Sequence, residues 1–264
     1  MESCRPVATP QDVENLPDPV DDDQLGVNDP SIPYRESVGG LQYLVQGTRP
    51  DIANAVRTLG KYLSKYTKEH FVMAKRVLRY LHGTRDYGIV WNKPATTDLH
   101  FTAYADADLG SEKNDRRSIT GYVLQMNGCT YAYKNHKLSI AQDDTCSAQF
   151  IAAAECSVTI MWTHNLCEEL KVRRRRPTLL FQHNQSTIKV IKPTKGYFKV
   201  KGVDLKYHKV KDLYERGDFD LVYCPTTDML ADIFTKPLGA TQFCKLCELL
   251  NVLPLHVMEC SNAS

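Results

Sequence analysis

The spacing of hydrophobic residues divides the chain into a helical first part and a second part that mixes strands with helices. Between residues 36 and 94 the apolar positions recur every three or four residues, as they do on the buried side of a helix. Two series show this spacing: Ile52, Val56, Leu59 and Leu63, and then Phe71, Ala74, Leu78 and Leu81. The second series predicts a helix from Lys68 to His82, with Gly83 as its stop.

After Pro94 the pattern predicts strands first and then alternating helices and strands. The predicted strands are Leu99 to Ala107, Ser118 to Met126, Cys129 to Asn135, Thr178 to Gln182 and Asp218 to Pro225. The predicted helices are Thr145 to Leu170, Ser186 to Ile191, Asp204 to Arg216 and a helical region from Thr226 to Lys236. The order βββ–α–β–α–(α)–β–α predicts a mixed sheet flanked by helices, which is the α/β class.

Two of these predictions carry further detail. Asn127 and Gly128 separate the second and third strands, and this pair is a strong signal for a tight hairpin. The long helix is expected to place its larger apolar residues broadly on one side. These are Phe150, Ala154, Val158, Met161 and Leu166.

Composition excludes several classes of protein without selecting one. The 264 residues are 42% hydrophobic with a net charge of +2, so overall charge implies no particular partner. No apolar run approaches the roughly 18–20 residues of a membrane span, and residues 1–10 lack a signal pattern. Nine cysteines without a framework spacing favour reduced thiols. We therefore expect an intracellular protein, cytoplasmic or nuclear, with no membrane partner.

The distribution of charge is more informative than its sum. Residues 11–30 hold seven acids and no base, so residues 1–35 are expected to form an extended, Pro-rich lead-in. A basic run follows the long helix and comprises Lys171, Arg173, Arg174, Arg175 and Arg176. Lys75, Arg76 and Arg79 lie off the apolar side of the earlier helix. Each basic group is either a solvated surface or a contact to a nucleic-acid backbone, because clustered cations release counterions from phosphate.

Two acids stand where the first strand of the second part ends. Asp106 and Asp108 are two residues apart, so in a strand they lie on the same face. One interpretation is a pair of surface acids at a turn. The other is part of a metal site that Asp232, on a late helix, would complete. Cleavage of a phosphodiester by two Mg²⁺ ions requires several carboxylates gathered at one end of a sheet.

Several longer motifs resemble one family. The chain is similar to the C-terminal part of a copia-type retrotransposon Pol polyprotein in SVGGLQYLVQGTRPDIANAV (Ser37 to Val56), AKRVLRYLHGTRDYGIVW (Ala74 to Trp91), YADADLG (Tyr104 to Gly110), DRRSITGYV (Asp115 to Val123), DLKYHKVKD (Asp204 to Asp212) and DMLADIFTKPL (Asp228 to Leu238). The family's Tyr-x-Asp-Asp polymerase hairpin is absent, so we expect a broken-off C-terminal piece of such an element.

The resemblance implies a domain organisation and a fold. Residues 1–35 would be the remnant of the reverse transcriptase, 36–94 a helical thumb or connection region, 95–240 a ribonuclease H (RNase H)-like domain and 241–264 a C-terminal tail. The fold implied is an RNase H-like mixed five-stranded sheet flanked by helices, preceded by the small helical region. Active members hydrolyse the RNA strand of an RNA–DNA hybrid with Mg²⁺, so hybrid or other nucleic acid is the implied partner.

The resemblance also implies four metal-binding acids, and this chain keeps two of them. Asp106 and Asp232 match the family's first and fourth acids, with Asp108 as a further candidate ligand. Gln149 stands where the family has a glutamate, and His183, in QHNQS, stands where it has an aspartate. Imidazole nitrogen suits Mn²⁺ or Zn²⁺ better than Mg²⁺. We therefore expect weak or absent Mg²⁺ binding and impaired catalysis.

Three functions remain open at this stage. The chain is an RNase H module that folds but does not cut, a weakly active metal-dependent RNase H that uses His183 with Mn²⁺, or a host-recruited protein that binds nucleic acid or another partner. The basic groups at residues 75–79 and 173–176 favour binding, and the two missing acids weigh against cleavage.

Overall fold

The computed structural model describes residues 4–13, 27–91, 98–111, 115–192 and 204–255. In this part of the chain the α-helices are α1 (Tyr34–Gly47), α2 (Ala53–Gly60), α3 (Lys68–Gly83), α4 (Thr145–Glu169), α5 (Gln185–Ile191), α6 (Asp204–Glu215), α7 (Asp232–Thr235) and α8 (Ala240–Leu249). The strands are β1 (Tyr87–Ile89), β2 (Phe101–Asp108), β3 (Ile119–Met126), β4 (Cys129–Lys137), β5 (Thr178–Gln182), β6 (Phe219–Tyr223) and β7 (Val252–Pro254). Short 3₁₀ turns lie at Pro50–Ile52 and Thr226–Asp228.

The contacts divide the chain into two compact units. The first unit comprises residues 1–90 together with 236–264, and the second unit comprises residues 91–235. In the first unit β1 pairs antiparallel with β7, and α8 belongs to the same unit. The four-part division expected from the sequence stays a prediction, and its segments at residues 14–26 and 256–264 lie outside the described residues.

The second unit contains a five-stranded mixed sheet in the order β4-β3-β2-β5-β6. The three strands of the meander, β2, β3 and β4, pair antiparallel, whereas β2, β5 and β6 run parallel to one another. Parallel neighbours require a crossover. The chain returns from β4 through α4 to place β5 beside β2, and α5 and α6 connect β5 to β6. The predicted RNase H-like fold class is confirmed.

The local signals for the strands are also confirmed. Asn127 and Gly128 form the turn between β3 and β4 with φ of 50° and 82°, the left-handed conformation that this tight hairpin requires. The strand Thr178–Gln182 has the predicted bounds, and the strand bounds elsewhere in this unit differ by one or two residues. Alternation and turn chemistry were therefore sufficient to locate the strands.

The predicted apolar side of α4 is wrong in part. Val158 and Leu166 are exposed, together with Trp162, while Ser157, His164 and Cys167 are buried. The buried polar groups have partners: Ser157 donates to the carbonyl of Ala154, and the ring of His164 is 2.8 Å from the hydroxyl of Thr178. A pattern of apolar residues cannot identify a helix face whose polar members find partners only in the folded chain.

The predicted apolar side of α3 is also wrong in part, with only Ala74 of its four residues buried. The buried residues are His70, Ala74, Val77 and Tyr80, whereas Phe71, Leu78 and Leu81 are only partly buried. The ring of His70 completes a capping box with Thr67 at the start of α3. Tyr80 donates to a carboxylate oxygen of Asp51 at 2.7 Å, and Arg49 pairs with the same carboxylate. Asp51 is therefore buried with compensation for its charge.

Two layers of helix cover opposite faces of the sheet near the end of β2. The α4 side of β2 presents Ala103, Ala105 and Ala107, whose small side chains let the helix approach closely. On the other face α7 lies against β3 at Gly121. A Cβ atom at Gly121 would stand 2.7 Å from the Cβ of Phe234, closer than such atoms approach. The close packing of α7 against β3 therefore requires glycine at position 121.

The described residues contain no helix both long and apolar enough to span a bilayer. They include eight of the nine cysteines, and no disulfide joins any of these eight. Reduced thiols stay a prediction from the cysteine spacing.

Replacing Gly121 by alanine should lower the free energy of unfolding by about 1–3 kcal/mol, because the added methyl group overpacks the contact with Phe234. Urea unfolding followed by circular dichroism reports on both units, and tryptophan fluorescence reports on the second unit, which holds both tryptophans, Trp91 and Trp162. Gly88→Ala is the matched control, since Gly88 is a strand glycine with nothing within 4 Å of an added Cβ. Equal stability of Gly121→Ala and the unaltered chain would contradict the packing argument.

Candidate metal centre

The carboxylate of Asp106 lies at the centre of the candidate site. Asp106 is near the end of β2, in register with Gly121 of β3, and is 1% exposed. The side chain therefore lies on the α7 face of the sheet, because paired residues on neighbouring strands point to the same side. A buried carboxylate is costly unless its charge is compensated, so its contacts determine what the site can do.

Neutral donors reach both oxygens of the Asp106 carboxylate. The side-chain amide of Gln149, on α4, donates to Oδ1 at 2.8 Å and to the backbone carbonyl of Ala107 at 2.7 Å. The hydroxyl of Thr235, at the end of α7, donates to Oδ2 at 2.5 Å. Two helices from opposite faces of the sheet thus meet at one carboxylate. Hydrogen bonds from these groups compensate the charge without a cation.

Asp232 and His183 complete the cluster. Asp232 is the first residue of α7 and is 2% exposed, and His183 directly follows β5 with its side chain 23% exposed. The Nδ1 atom of His183 is 3.4 Å from Oδ1 of Asp106. One ligand atom from each of Asp106, His183 and Asp232 lies within 4.8 Å of the others. Two carboxylates and an imidazole at this separation could hold a divalent metal ion.

Gln149 and Asp108 contribute differently from what the resemblance implies for metal ligands. The oxygen of the Gln149 amide, Oε1, is buried and has no hydrogen-bond partner among the described residues. The amide is therefore a donor to the cluster and carries an unsatisfied acceptor. Asp108, at the end of β2, is partly exposed and does not belong to the group of converging ligand atoms.

The structure adds Thr235 to the residues found from the sequence. Thr235 is three positions after Asp232 on α7, and residues three apart on a helix share a face. That spacing was visible in the motif LADIFTKPL and would have been enough to nominate Thr235. The donation of the Gln149 amide to Asp106 had no such signal, because it joins residues 43 positions apart.

The basic run after α4 is not uniformly exposed. Arg173, Arg175 and Arg176 are exposed, whereas the Arg174 side chain is only 5% exposed. Arg174 therefore does not lie on the surface that the sequence suggested, and its guanidinium is 3.9 Å from a carboxylate oxygen of Glu168. The run follows the C-terminal end of α4 and Gln149 is near the N-terminal end, so about 30 Å of helix separates the run from the cluster.

The earlier basic group belongs to the first unit. Lys75 is exposed, with its ammonium 4.6 Å from the ring centroid of Phe71. Arg76 donates to the hydroxyl of Thr9, and Arg79 donates to the backbone carbonyl of Arg5. Arg76 and Arg79 therefore bind the segment at residues 5–9. A nucleic-acid contact through Lys75, Arg76 and Arg79 stays a prediction.

A second buried polar cluster was not found from the sequence. His164 of α4 is 1% exposed, and its ring nitrogen Nδ1 is 3.9 Å from Asp218, which also pairs with Arg216. Burial, with a further contribution from the nearby Arg174 guanidinium, lowers the pKa of His164 to about 4. His164 is therefore neutral at physiological pH, and the cluster acts on stability.

A sheet in this strand order, with buried acids on β2 and α7, defines the second unit as an RNase H-like α/β domain. No protein-family model matches the chain. The retrovirus-related Pol polyprotein from transposon RE1 of Arabidopsis thaliana is 34% identical over 210 residues, which are 80% of this chain and 14% of that protein. Secreted RxLR effector protein 161 of Plasmopara viticola is 33% identical over 146 residues, 55% of this chain and 96% of that protein.

The chain belongs to the retrovirus-related Pol polyproteins of copia-type transposons. It spans only 14% of the length of the RE1 polyprotein and 16% of RE2, another Arabidopsis relative. Among solved structures, the N-terminal RNase H domain of rv2228c from Mycobacterium tuberculosis is 13% identical with a TM-score of 0.38, covering 57% of this chain and 98% of that one. The fold assignment rests on the strand order of the sheet.

Because His164 is buried and neutral, the free energy of unfolding should decrease as the pH is lowered. The unfolded chain takes up a proton near pH 6.5, whereas the folded chain resists protonation to about pH 4. Between these values the unfolded chain binds more protons, so the free energy of unfolding should decrease by about 2 kcal/mol from neutral pH to about pH 5. Denaturant unfolding at the two pH values measures this decrease.

The variant His164→Gln should remove most of that pH dependence, because glutamine does not titrate. His82→Gln, in the first unit, is the control and should leave the dependence unchanged. An equal loss of stability at low pH in His164→Gln and the unaltered chain would show that other groups cause it.

Proposed function

We propose that the second unit is an RNase H-like module that binds RNA–DNA hybrid or duplex nucleic acid and does not support magnesium-dependent cleavage. The observation that carries this proposal is the hydrogen bond from the Gln149 amide to Oδ1 of Asp106 at 2.8 Å. Where the resemblance implies a carboxylate that shares a cation with Asp106, this chain has a hydrogen-bond donor that replaces the cation.

The donor set does not fit a pair of Mg²⁺ ions. Two ions about 3.5–4 Å apart require oxygen ligands, mainly carboxylates, to balance their combined charge of +4. The cluster offers Asp106 and Asp232, with a charge of −2, and an imidazole that Mg²⁺ accepts poorly. Binding an ion at Oδ1 of Asp106 would also displace the Gln149 amide, whose bond to a charged acceptor contributes about 1.5–3 kcal/mol.

The expected effect on the cleavage rate follows from the two replaced acids, at Gln149 and His183. If each missing acid raises the barrier by roughly 3–4 kcal/mol, each reduces the rate by about two to three decades. The two effects together would leave activity near the background. A weakly active enzyme that uses His183 with Mn²⁺ is the competing proposal, and it predicts measurable cleavage in that metal.

The proposal of nucleic-acid binding is supported by the exposed basic residues after α4. Arg173, Arg175 and Arg176 lie about 30 Å of helix away from Asp106. That distance is close to one turn of a nucleic-acid duplex, roughly 34–36 Å. A duplex lying along α4 would therefore place one stretch of backbone near the cluster and the next turn near these arginines.

A second candidate function is binding to a protein partner outside any polyprotein. The observation that favours it is the similarity to the relative named as a secreted effector. The similarity extends along 96% of that relative's length. In this case the hybrid and duplex would bind no better than free nucleotides do. A binding titration with labelled hybrid therefore separates the two candidates.

Restoring both acids should restore cleavage. We expect Gln149→Glu with His183→Asp to cut an RNA–DNA hybrid in Mg²⁺ at a rate at least about 100-fold above the unaltered chain, because four carboxylates can then hold two ions. Each single change should remain near background. A gel assay with labelled hybrid, in Mg²⁺ and separately in Mn²⁺, measures this.

The control is Asp106→Asn in the doubly restored chain, which should abolish the recovered activity. Efficient Mg²⁺-dependent cleavage by the unaltered chain would contradict the proposal. A folded double variant that binds hybrid and stays inactive would show that the residues were wrongly assigned to the site.

Removing the exposed arginines should weaken binding and its dependence on salt. The double variant Arg173→Ala with Arg175→Ala should reduce the slope of log K against log salt by about 0.9 for each phosphate that the protein no longer neutralises. Lys61→Ala with Lys65→Ala is the matched control, with the same change in charge in the first unit. An unchanged slope in the arginine variant would remove this segment from the interface.

A further inference from the structure

We propose that the outward face of α4 binds a second copy of this chain, with the two α4 helices antiparallel. The surface consists of Val158, Trp162, Leu166 and Leu170, which together form the α4 row. The inference is independent of the proposed function, because none of these four residues belongs to the candidate metal centre or to the basic run.

The α4 row is exposed although all four of its side chains are large and apolar. The exposed fractions are 50% for Val158, 59% for Trp162, 37% for Leu166 and 64% for Leu170, the C-cap residue, which keeps a helical backbone. Exposed apolar residues are common when they are scattered singly. Residues four apart on a helix are neighbours, so these four form one continuous apolar patch. A continuous patch of this kind marks an interaction surface.

Polar side chains of α4 are used on the side that faces the sheet. The hydroxyl of Thr159 is 2.9 Å from the hydroxyl of Tyr122, and the hydroxyl of Thr163 is 2.8 Å from that of Tyr131. A surface helix usually directs its polar residues to solvent, whereas a helix with apolar residues on all sides is typically covered on all sides. The exposed row on α4 is therefore the side that lacks its cover in the single chain.

The spacing of the α4 row suits packing against the same row of a second copy. Residues four apart form a ridge inclined by about 26° to the helix axis, and two such ridges interdigitate when the helices cross at about 50°. A two-fold axis between Trp162 and Leu166 would place Trp162 of one copy against Leu166 of the other. It would also place Val158 against Leu170 of the other copy. One self-complementary patch then serves both copies, as in an isologous dimer.

Charges at the two ends of the α4 row favour the antiparallel arrangement. Exposed Lys171 and Arg173 follow the end at Leu170, and Glu155 lies three residues before Val158. In the antiparallel pair the basic end of each row lies beside Glu155 of the other copy, whereas a parallel pair would bring the two basic ends together. Like charges opposed across an interface are unfavourable. The Glu155 carboxylate lies 3.4 Å from the ring of His136 and its side chain is 23% exposed, so it can also face a cation across the interface.

The exposed area of the α4 row indicates how strong the association is. A tryptophan that is 59% exposed offers about 100–150 Å². The whole row then offers a few hundred Å² on each copy, compared with about 800 Å² per partner in a standard interface. The row is therefore the apolar centre of a small interface. We expect a weak, reversible dimer with a dissociation constant on the order of 10 μM.

Sedimentation equilibrium of the full chain, freed of nucleic acid and kept under a reducing agent, measures the association. We expect a dimer whose fraction rises with protein concentration. Trp162→Gln should raise the dissociation constant at least about 10-fold, because a tryptophan at the centre of an interface is a typical hot spot and the symmetric pair loses two. Trp91→Gln is the matched control, since Trp91 is 45% exposed and lies outside the row. This control should leave the dissociation constant unchanged.

Tryptophan fluorescence shows whether the α4 row itself forms the contact. The chain has two tryptophans, so Trp91→Phe leaves Trp162 as the single emitter. Its emission should shift to shorter wavelength as the concentration rises, in parallel with dimer formation, because the ring loses contact with water. Leu166→Gln in this background should delay the shift to higher concentration. Leu166→Gln also keeps the test decisive if Trp162→Gln fails to fold, which circular dichroism checks.

Three results would overturn the inference. The first is a monomer at every concentration, whether the Trp162 emission indicates an exposed ring or a ring covered within one chain. The second is a dimer that forms equally well in Trp162→Gln and Leu166→Gln, which would have its interface elsewhere. The third is a dimer whose formation leaves the Trp162 emission unchanged. A dimer that both variants weaken and that shifts the emission supports it.

Discussion

The buried carboxylate of Asp106 is the constraint on which the second unit depends. A charge that is 1% exposed must be compensated, and its hydrogen bonds come from elements far apart in the chain, Gln149 on α4 and Thr235 on α7, while His183 after β5 lies 3.4 Å from Oδ1. These contacts join the two helical layers and the parallel half of the sheet at one point. The same carboxylate is therefore both a structural contact and the centre of the candidate site.

The approach of the two layers to that point depends on small residues. Alanines on the α4 side of β2 admit the long helix, and Gly121 on β3 admits α7 on the opposite face. Because α7 lies so close, Thr235 and Asp232 reach the end of β2 from a helix of only four residues. Asn135 of β4 fixes the position of α7 further by donating to the backbone carbonyl of Phe234. Packing and site geometry are thus set by the same few contacts.

Sequence reasoning located the strands well and the buried sides of helices poorly. In strands such as β5, the alternation of side chains and the turn residues are local, so the bounds could be predicted directly. On α3 and α4 the buried side includes His70, His164 and Ser157, whose burial depends on partners in the folded chain. Hydrophobic periodicity treats such residues as exposed. Arg174 was misplaced in the same way, because a charge within a basic run gives no sign that it packs inward.

The order of elements, the mixed sheet and the candidate group of Asp106, Gln149, His183 and Asp232 could all be predicted from the sequence. Local propensity and motif spacing carry that information along the chain. Three facts come from the folded chain: Gln149 donates to Asp106, Thr235 joins the candidate site, and the exposed arginines lie about 30 Å of helix from it. Those facts depend on distances between residues far apart in sequence, and such distances exist only after the helices pack on the sheet.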